Sequence, residues 1–167
     1  MCAENRELCQ RIRLVLLAKR IEHCDLKLWK IVQSSDEALD HSRIQQHDLL
    51  GAYQDEQVWR TYQFALDVDG NASSWSQFLK MAKLGCCILK VESPKGFRQW
   101  YSHEFTAMQH YLPVRADLSD FEERVDWALS HPEACEAIAM EAYEKARKMT
   151  LDSELAKTAA LVANRLS

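Results

Sequence analysis

A run of small and polar residues from Asp67 to Trp75 has the clearest potential for chemistry, because it joins a predicted strand to a predicted helix. Free backbone N–H groups and the positive end of a helix dipole converge at such a junction, and anions bind there. Gly70, Ala72 and the two serines that follow would let a diphosphate approach the backbone closely. A junction of this kind also needs capping groups when it binds nothing, so a purely structural role is an equal alternative.

Three pairs of side chains are of the types that bind metals: His23 with Cys24, His103 with His110, and Asp67 with Asp69. Neither histidine pair has a third ligand at the close spacing of a metal site. The two aspartates lie at a strand end, where acidic residues are common in turns. The sequence therefore predicts no metal ion and no other cofactor. Beyond the loop, Arg98, Trp100 and Tyr101 could contact a nucleotide through a cation and stacked rings, and core packing is an equal alternative for Trp100.

The elements that position this loop are predicted to alternate between strand and helix. Alternating apolar residues predict a strand over 62–68, and apolar runs predict strands over 86–91 and 111–115. A helix is predicted from about Trp75 to the stop at Gly85, with Ser74 as its cap, and another over 97–108. Such alternation implies parallel strands with crossover helices. The predicted fold is therefore α/β, a Rossmann-like parallel sheet with flanking helices.

Both ends of the chain add further predicted elements. Three amphipathic helices close it, two of them with capping boxes that begin at Ser119 and Ser130, and Pro132 falls near a first helical position. In the first sixty residues, residues 12–17 could form a strand or part of a helix that begins near Glu7, and residues 26–32 alternate only weakly; strands are favoured for both segments. Six cysteines without C-x-x-C spacing are interpreted as free thiols, mostly buried.

The composition excludes several classes of function. The chain has 167 residues, which suits one domain, and its net charge of −4 offers no general attraction to nucleic acid or to anionic membranes. No apolar stretch approaches the roughly 20 residues that a transmembrane helix needs. The N-terminal residues are too charged for a signal peptide. A cytoplasmic protein is therefore expected.

Five blocks of the sequence, in order, resemble the family 90 glycosyltransferases, the group of protein O-glucosyltransferases, capsule-associated proteins and lipopolysaccharide-modifying enzymes. The blocks are Asp67-Val68-Asp69-Gly70-Asn71-Ala72-Ser73-Ser74-Trp75, Gly85-Cys86-Cys87-Ile88-Leu89-Lys90, Arg98-Gln99-Trp100-Tyr101, His110-Tyr111-Leu112-Pro113-Val114 and Asp117-Leu118-Ser119-Asp120. The resemblance runs from about Tyr62 to Met149. It implies a metal-independent hexosyltransferase of the two-lobed GT-B type, of which this region is the C-terminal, donor-binding lobe.

The resemblance also implies the ligands. The donor would be a nucleoside diphosphate-sugar, UDP-hexose and UDP-glucose in particular, and the acceptor a hydroxyl of a glycan, a lipopolysaccharide or a protein. The donor-binding residues would be Asp69, Gly70, Asn71, Ala72, Ser73, Ser74, Trp75, Lys90 and Arg98. Lys90 and Arg98 are included as alternative contacts for the diphosphate. The animal O-glucosyltransferases have an arginine shortly after the loop that helps to neutralise it. Ser76 stands there in this sequence, as expected nearer the bacterial branch.

The family's acceptor lobe and acidic general base are expected to precede this region. Residues 1–60 are accordingly interpreted as a link from that lobe with the first elements of the donor lobe, residues 61–150 as the nucleotide-sugar-binding core, and residues 151–167 as a C-terminal helix. No catalytic residue is assigned to this chain. The alternative is a non-catalytic remnant, or a partner subunit that completes its site with a separately encoded acceptor lobe.

Overall fold

A computed structural model describes residues 9–30, 42, 44–70 and 72–166, and within them a three-stranded parallel sheet lies between helices. The strands, in spatial order, are β1 (Phe64–Asp67), β2 (Cys87–Val91) and β3 (Leu112–Val114). The helices with defined bounds are α1 (Gln10–Ala18), α2 (Gln77–Lys83), α3 (Phe121–Ser130), α4 (Pro132–Lys148) and α5 (Leu151–Leu166). The predicted α/β, Rossmann-like class is therefore confirmed. The predicted domain boundaries remain a prediction.

The central strand β2 is buried on both faces, which explains why its sequence is a continuous apolar run rather than an alternating one. On one face, Ile88 packs with Ala65 of β1 and with Phe78 of α2. On the other face, Leu89 and Val91 belong to a second cluster, which also contains side chains of α1, α3 and the first half of α4. The register sets Asp67 of β1 beside Lys90 of β2. Both residues therefore lie near the carboxyl ends of their strands.

The three predicted strands of the sheet, with Pro113 in the edge strand β3, are confirmed, as are the three closing helices and the stop at Gly85, whose φ is +80°. The predicted caps are wrong. Helix α2 begins at Gln77 rather than near Trp75, and the residues before α2, α3 and α4 are Ser76, Asp120 and His131, none of which makes a side-chain cap hydrogen bond. Pro132 does occupy a first helical position.

The prediction of a strand over 12–17 is wrong, because this segment is the helix α1. Its buried residues are Leu14, Val15 and Ala18, a helical spacing that covers one stripe of the surface. The short apolar run conceals this period, since Leu16 and Leu17 extend the run onto the flanks of the helix. For the strand predicted over 26–32, the structure shows a single parallel bridge between Leu28 and Leu50, and residues 31 and 32 lie outside the described residues.

The predicted helix over 97–108 is also wrong. Within the described residues this segment is irregular, apart from a short 3₁₀ turn at Ser102–Glu104 and an isolated parallel bridge between Ala107 and Tyr111. Side chains compete with helical hydrogen bonding here: the Gln99 N–H donates to Ser102 Oγ at 2.9 Å, and the Thr106 N–H donates to His110 Nδ1 at 2.9 Å. Two aromatic rings anchor the segment, because Tyr101 and Phe105 both pack against Phe78.

None of the helices in the described part of the chain combines the length and the apolar composition needed to cross a membrane. The cysteines that the structure describes are free, and Cys86, Cys87 and Cys135 are buried. The free cysteines agree with the interpretation of the sequence. The cytoplasmic location remains a prediction.

Candidate functional site

The candidate site lies at the carboxyl edge of the sheet, where β1 and β2 end side by side. Asp67, the last residue of β1, is fully buried, and its Oδ2 atom accepts a hydrogen bond of 2.5 Å from Lys90 Nζ. The same ammonium group lies 5.6 Å from the centroid of the Phe78 ring. Among the described residues, the second oxygen of Asp67 has no hydrogen-bond partner. The carboxyl edge therefore contains a partly buried charge pair, in which one carboxylate oxygen can still accept a hydrogen bond.

The loop that follows β1 is braced from the inside by Asp69. This side chain is buried, and its Oδ1 atom accepts a hydrogen bond of 3.2 Å from the Ser74 N–H. The Gly70 N–H donates to the Ala72 carbonyl at 2.9 Å, which tightens the turn. Because Asp69 folds inward, Gly70 and Ala72 are left on the exposed side of the loop. Within the described residues, the N–H groups of Ala72 and Ser73 have no acceptor.

Trp75 ends the loop in a strained conformation. Its φ is +57°, a left-handed value that is unusual for a bulky residue, and 74% of its surface is exposed. The Tyr101 hydroxyl donates a hydrogen bond to the Trp75 carbonyl and so holds the turn in place. Burial, together with the nearby carboxylates of Asp67 and Asp69, raises the pKa of Tyr101 well above its usual value. The hydroxyl therefore stays protonated and remains a donor. Strain of this kind costs about 1–3 kcal/mol and is found preferentially at functional sites.

A second segment, residues 97–101, closes over the loop from the side of β2. Gln99 Nε2 donates a hydrogen bond to Ser73 Oγ. Trp100 lies edge-on against Tyr101 with a centroid distance of 5.4 Å, and it remains largely exposed. Arg98 is exposed in the same segment, next to the glutamine that contacts the loop. The segment thus contacts the loop through Gln99 and Tyr101, while the neighbouring Arg98 and Trp100 stay exposed.

The first turns of helix α1 join the loops that follow all three strands. Arg11 donates to the carbonyls of Val68 and Asp69, at 3.0 and 2.9 Å, through two nitrogens of its guanidinium group. Gln10 Nε2 donates to the carbonyls of Glu92 and Ala116, at 3.0 and 2.8 Å, beyond β2 and β3. Arg13 donates to the Asp117 carbonyl at 2.5 Å. The carboxyl edge is therefore held together by polar side chains of one helix.

Arg11 is not among the residues that the sequence pattern predicts for this site. A Cβ atom added to Gly70 would lie 3.2 Å from Arg11 Cζ, so the guanidinium group rests directly against the glycine. The helical spacing of Leu14, Val15 and Ala18 was the available signal, because Arg11 lies one turn before Leu14 and Val15 on the same face of the helix, which faces the sheet. With residues 12–17 interpreted as a strand, that signal was lost.

Most of the predicted donor-binding residues come together. One loop contains Asp69, Gly70, Ala72, Ser73, Ser74 and Trp75, and Lys90 lies beneath it. Among the described residues, Arg98 makes no hydrogen bond or ion pair with that loop, and Asn71 lies outside the described residues. Among the residues that the structure describes, no three His, Cys, Asp or Glu side chains form a group that could hold a metal ion.

The arrangement suits the binding of an anion that carries a flat ring. The Arg11 guanidinium supplies an exposed positive charge beside the small-residue turn, and backbone N–H groups of the loop supply donors. The exposed ring of Trp75 offers a surface for stacking. The carboxylates of Asp67 and Asp69 are already engaged by Lys90 and Ser74.

Comparison with protein families gives a match to glycosyl transferase family 90 over residues 5–154. Among individual proteins, an uncharacterized protein, 179R, of Invertebrate iridescent virus 6 is 38% identical over 86 residues, which are 48% of this chain and 7% of that protein.

Two animal proteins are also similar. Protein O-glucosyltransferase 3 of Homo sapiens is 33% identical over 92 residues, 53% of this chain and 17% of that protein. Protein O-glucosyltransferase 2 of Danio rerio is 30% identical over 89 residues, 52% of this chain and 17% of that protein. The matched region is thus less than a fifth of each of these relatives.

Proposed function

Because this chain belongs to glycosyl transferase family 90, we propose that it is the donor-binding, C-terminal lobe of a GT-B hexosyltransferase and that its carboxyl edge holds a nucleoside diphosphate-sugar. The single observation that carries the proposal is the guanidinium of Arg11 resting on the small-residue turn at Gly70. A diphosphate needs a cation and close backbone approach at the same place. The turn and Arg11 offer both.

In this proposal, Arg11 neutralises the diphosphate in place of the arginine that the animal O-glucosyltransferases have after the loop, a position occupied by Ser76 in this chain. Its guanidinium group can form bidentate hydrogen bonds with phosphate oxygens, a geometry that a lysine does not offer. Lys90 is the weaker candidate, because its ammonium group is bound to Asp67 and only 29% of its side chain is exposed. Arg98 would approach from segment 97–101 as a second, exposed cation.

The helix dipole contributes less than the sequence pattern implies. Helix α2 has seven residues and starts at Gln77, two residues later than expected, and a macrodipole weakens with such a short helix. The N–H groups of Ala72 and Ser73 therefore become the main backbone donors in the proposal. Trp75 would stack against the base or the sugar of the donor, which gives a reason for its exposed ring.

For the ligands, we propose UDP-hexose as donor, with UDP-glucose first, and a hydroxyl of a glycan, a lipopolysaccharide or a protein as acceptor. The names of the animal relatives, protein O-glucosyltransferases, support a glucose donor. We also propose that the chain is nearer the bacterial branch of the family, as Ser76 suggests, and that the protein is cytoplasmic.

The general base is proposed to lie outside the described residues. It must come within hydrogen-bond reach of the acceptor hydroxyl, whereas Asp67 is buried beneath Lys90 and Asp69 braces the loop. An acceptor lobe, in the same protein or on a separate chain, would provide it. The same observation also fits the alternative function, a protein that binds the nucleotide without turnover. Transfer assays with an added acceptor lobe distinguish the two.

Titration calorimetry with UDP tests the proposal. Arg11→Met should weaken binding about tenfold, because it removes a charge-assisted hydrogen bond to the diphosphate. Arg20→Met, which removes an exposed arginine just beyond the same helix, should have no effect and serves as the control. A chelator should not change the affinity. Binding that is lost with the chelator would instead make Asp67 and Asp69 metal ligands, and equal binding by both variants would refute the role of Arg11.

A further inference from the structure

A second cleft opens beside the donor loop, along the free side of the edge strand β1. Its volume is about 760 Å³, within the range of about 300–1,000 Å³ that is common for small-molecule sites. Arg11 and Gln77 line it at the end nearest the loop, and the other residues that line it include Trp29, Tyr53, Asp25 and Asp55. The cleft is therefore continuous with the candidate donor site through Arg11.

Two aromatic rings form an exposed platform in this cleft. Trp29 and Tyr53 are in contact, with ring centroids 4.8 Å apart and an interplanar angle of 57°. Yet 58% of Trp29 and 62% of Tyr53 remain exposed. Large aromatic side chains normally bury most of their surface. A rigid pair that is left open in a concave site indicates a ligand that packs on ring faces.

The backbone holds this platform in a fixed position. The Leu28 N–H donates to the Leu49 carbonyl at 2.8 Å, and the Gly51 N–H donates to the Leu28 carbonyl at 2.8 Å. A Cβ atom on Gly51 would lie 2.7 Å from Lys27 Cβ, so only glycine permits this approach of the two segments. Leu28 directly precedes Trp29, and Gly51 lies two residues before Tyr53. The platform is therefore preorganised and loses little entropy when it binds.

Three carboxylates, Asp25, Asp55 and Glu56, line the cleft together with two cations, Arg11 and Lys27, and Lys27 is paired with Asp48. Asp25 accepts a hydrogen bond of 2.6 Å from the Tyr62 hydroxyl, which raises the pKa of that tyrosine. Asp55 accepts one of 2.8 Å from the Gln57 N–H. Each carboxylate has acceptor sites beyond these single hydrogen bonds. Such oxygens suit a ligand rich in hydroxyl donors and repel an anionic one.

We propose that this cleft binds a neutral sugar of the acceptor, with a pyranose ring on Trp29 and Tyr53 and its hydroxyl groups on Asp25 and Asp55. A pyranose has one face of C–H groups, which packs on aromatic rings, and a rim of hydroxyl donors. The inference rests on the proposed function and narrows it: the acceptor is a neutral glycan rather than an anionic saccharide. The diphosphate belongs at Arg11, at the end of the cleft nearest the loop, because the carboxylates of Asp25 and Asp55 would repel it.

Saturation-transfer NMR with the full chain tests this inference, using maltotriose and cellotriose as neutral probes and trigalacturonate as an anionic probe. At least one neutral trisaccharide should bind with millimolar affinity in the absence of nucleotide, and trigalacturonate should not bind. Trp29→Ala and Tyr53→Ala should each weaken the binding about tenfold. Trp29→Phe should retain most of it, because it keeps a ring face. Tyr143→Ala, an aromatic change on α4 outside this cleft, is the matched control.

The outcomes separate this inference from the proposed function. Loss of sugar binding in Trp29→Ala with unchanged UDP affinity supports a separate acceptor subsite. No binding of either neutral trisaccharide overturns the subsite, while UDP calorimetry still reports on the donor site. Weaker UDP binding in Trp29→Ala would overturn it as well, because the rings would then stack on the base. Since both side chains are exposed, unfolding is not expected, and circular dichroism of each variant verifies this.

Discussion

The two ends of the central strand β2 are built in different ways. At the carboxyl end, a fully buried aspartate lies under a lysine, a buried carboxylate braces a loop, and an exposed tryptophan takes a left-handed conformation. At the amino end, the chain turns through Gly85, whose φ of +80° is ordinary for glycine and whose missing side chain has open space around it.

The buried polar groups differ as well. Beside the amino end they are thiols, since Cys86 lies just before β2, Cys87 begins it and Cys135 packs against it from α4. Burial raises the pKa of all three thiols, so they stay protonated and unreactive. The amino end therefore follows local preference throughout. The carboxyl end departs from it at three neighbouring positions, and such departures are expected where a protein binds its ligand.

The largest expected effect comes from the charge pair at the carboxyl end. Lys90→Met keeps the aliphatic stem near Phe78 but leaves buried Asp67 without its cation. It should lower the free energy of unfolding by about 3 kcal/mol, near the low end for breaking a buried pair, because Lys90 is partly exposed. Urea denaturation measures it.

Lys80→Met is the matched control. It breaks the ion pair between Lys80 and Glu56, in which both side chains are more exposed than Lys90. Its effect should be within about 0.5 kcal/mol. Similar losses in the two variants would show that Asp67 and Lys90 form an ordinary surface pair, and the contrast between the two ends of β2 would weaken.

The sheet was predictable from the sequence because its signal is local. Each strand is an apolar run ended by turn residues, and Gly85 marks a helix end, so the loop after β1 also falls where expected. Segment 97–108 was not predictable in this way. Its helical pattern is overridden by the packing of Tyr101 and Phe105 on Phe78, two contacts that are distant in sequence. Arg11 was missed for a related reason, since its partners lie 57 and 58 residues away.

Substitutions of Gly70, near the carboxyl end of β2, and of Gly85, near its amino end, compare the two ends of this strand more sharply. Gly70→Val should weaken UDP binding about tenfold, because the new side chain meets the Arg11 guanidinium and blocks the backbone. Its φ is not among the positive values, so the reason is contact rather than strain. Stability should fall by less than about 1 kcal/mol, since the end of a flexible side chain can move.

Gly85→Ala should give the reverse result. A Cβ atom has open space there, but the positive φ strains any residue other than glycine, so stability should fall by about 1 kcal/mol. UDP binding should not change. If both substitutions acted on stability alone, the loop after β1 would be a structural turn like the one at Gly85. Calorimetry and urea denaturation of the same preparations make the comparison direct.

The smallest expected change in UDP affinity concerns Trp75, where strain and function are opposed. Trp75→Gly should raise the free energy of unfolding by about 1 kcal/mol, because glycine adopts the left-handed conformation without strain. The exposed ring contributes little burial to offset that strain. Leu118 is the matched case, since its φ is +65° but its side chain is buried in the core. Leu118→Gly should therefore destabilise the protein, because the lost burial outweighs the relieved strain.

The functional half of the Trp75 prediction is a loss of UDP affinity by several-fold, since the stacking surface disappears with the ring. A more stable protein that binds its nucleotide less well would mean that the strained turn is retained for the ligand. A less stable Trp75→Gly variant with unchanged affinity would mean that the ring packs in a structural role and that the hydrogen bond from Tyr101 merely supports it. Tyr101→Phe separates the two readings, because it removes that hydrogen bond and leaves the Trp75 ring in place.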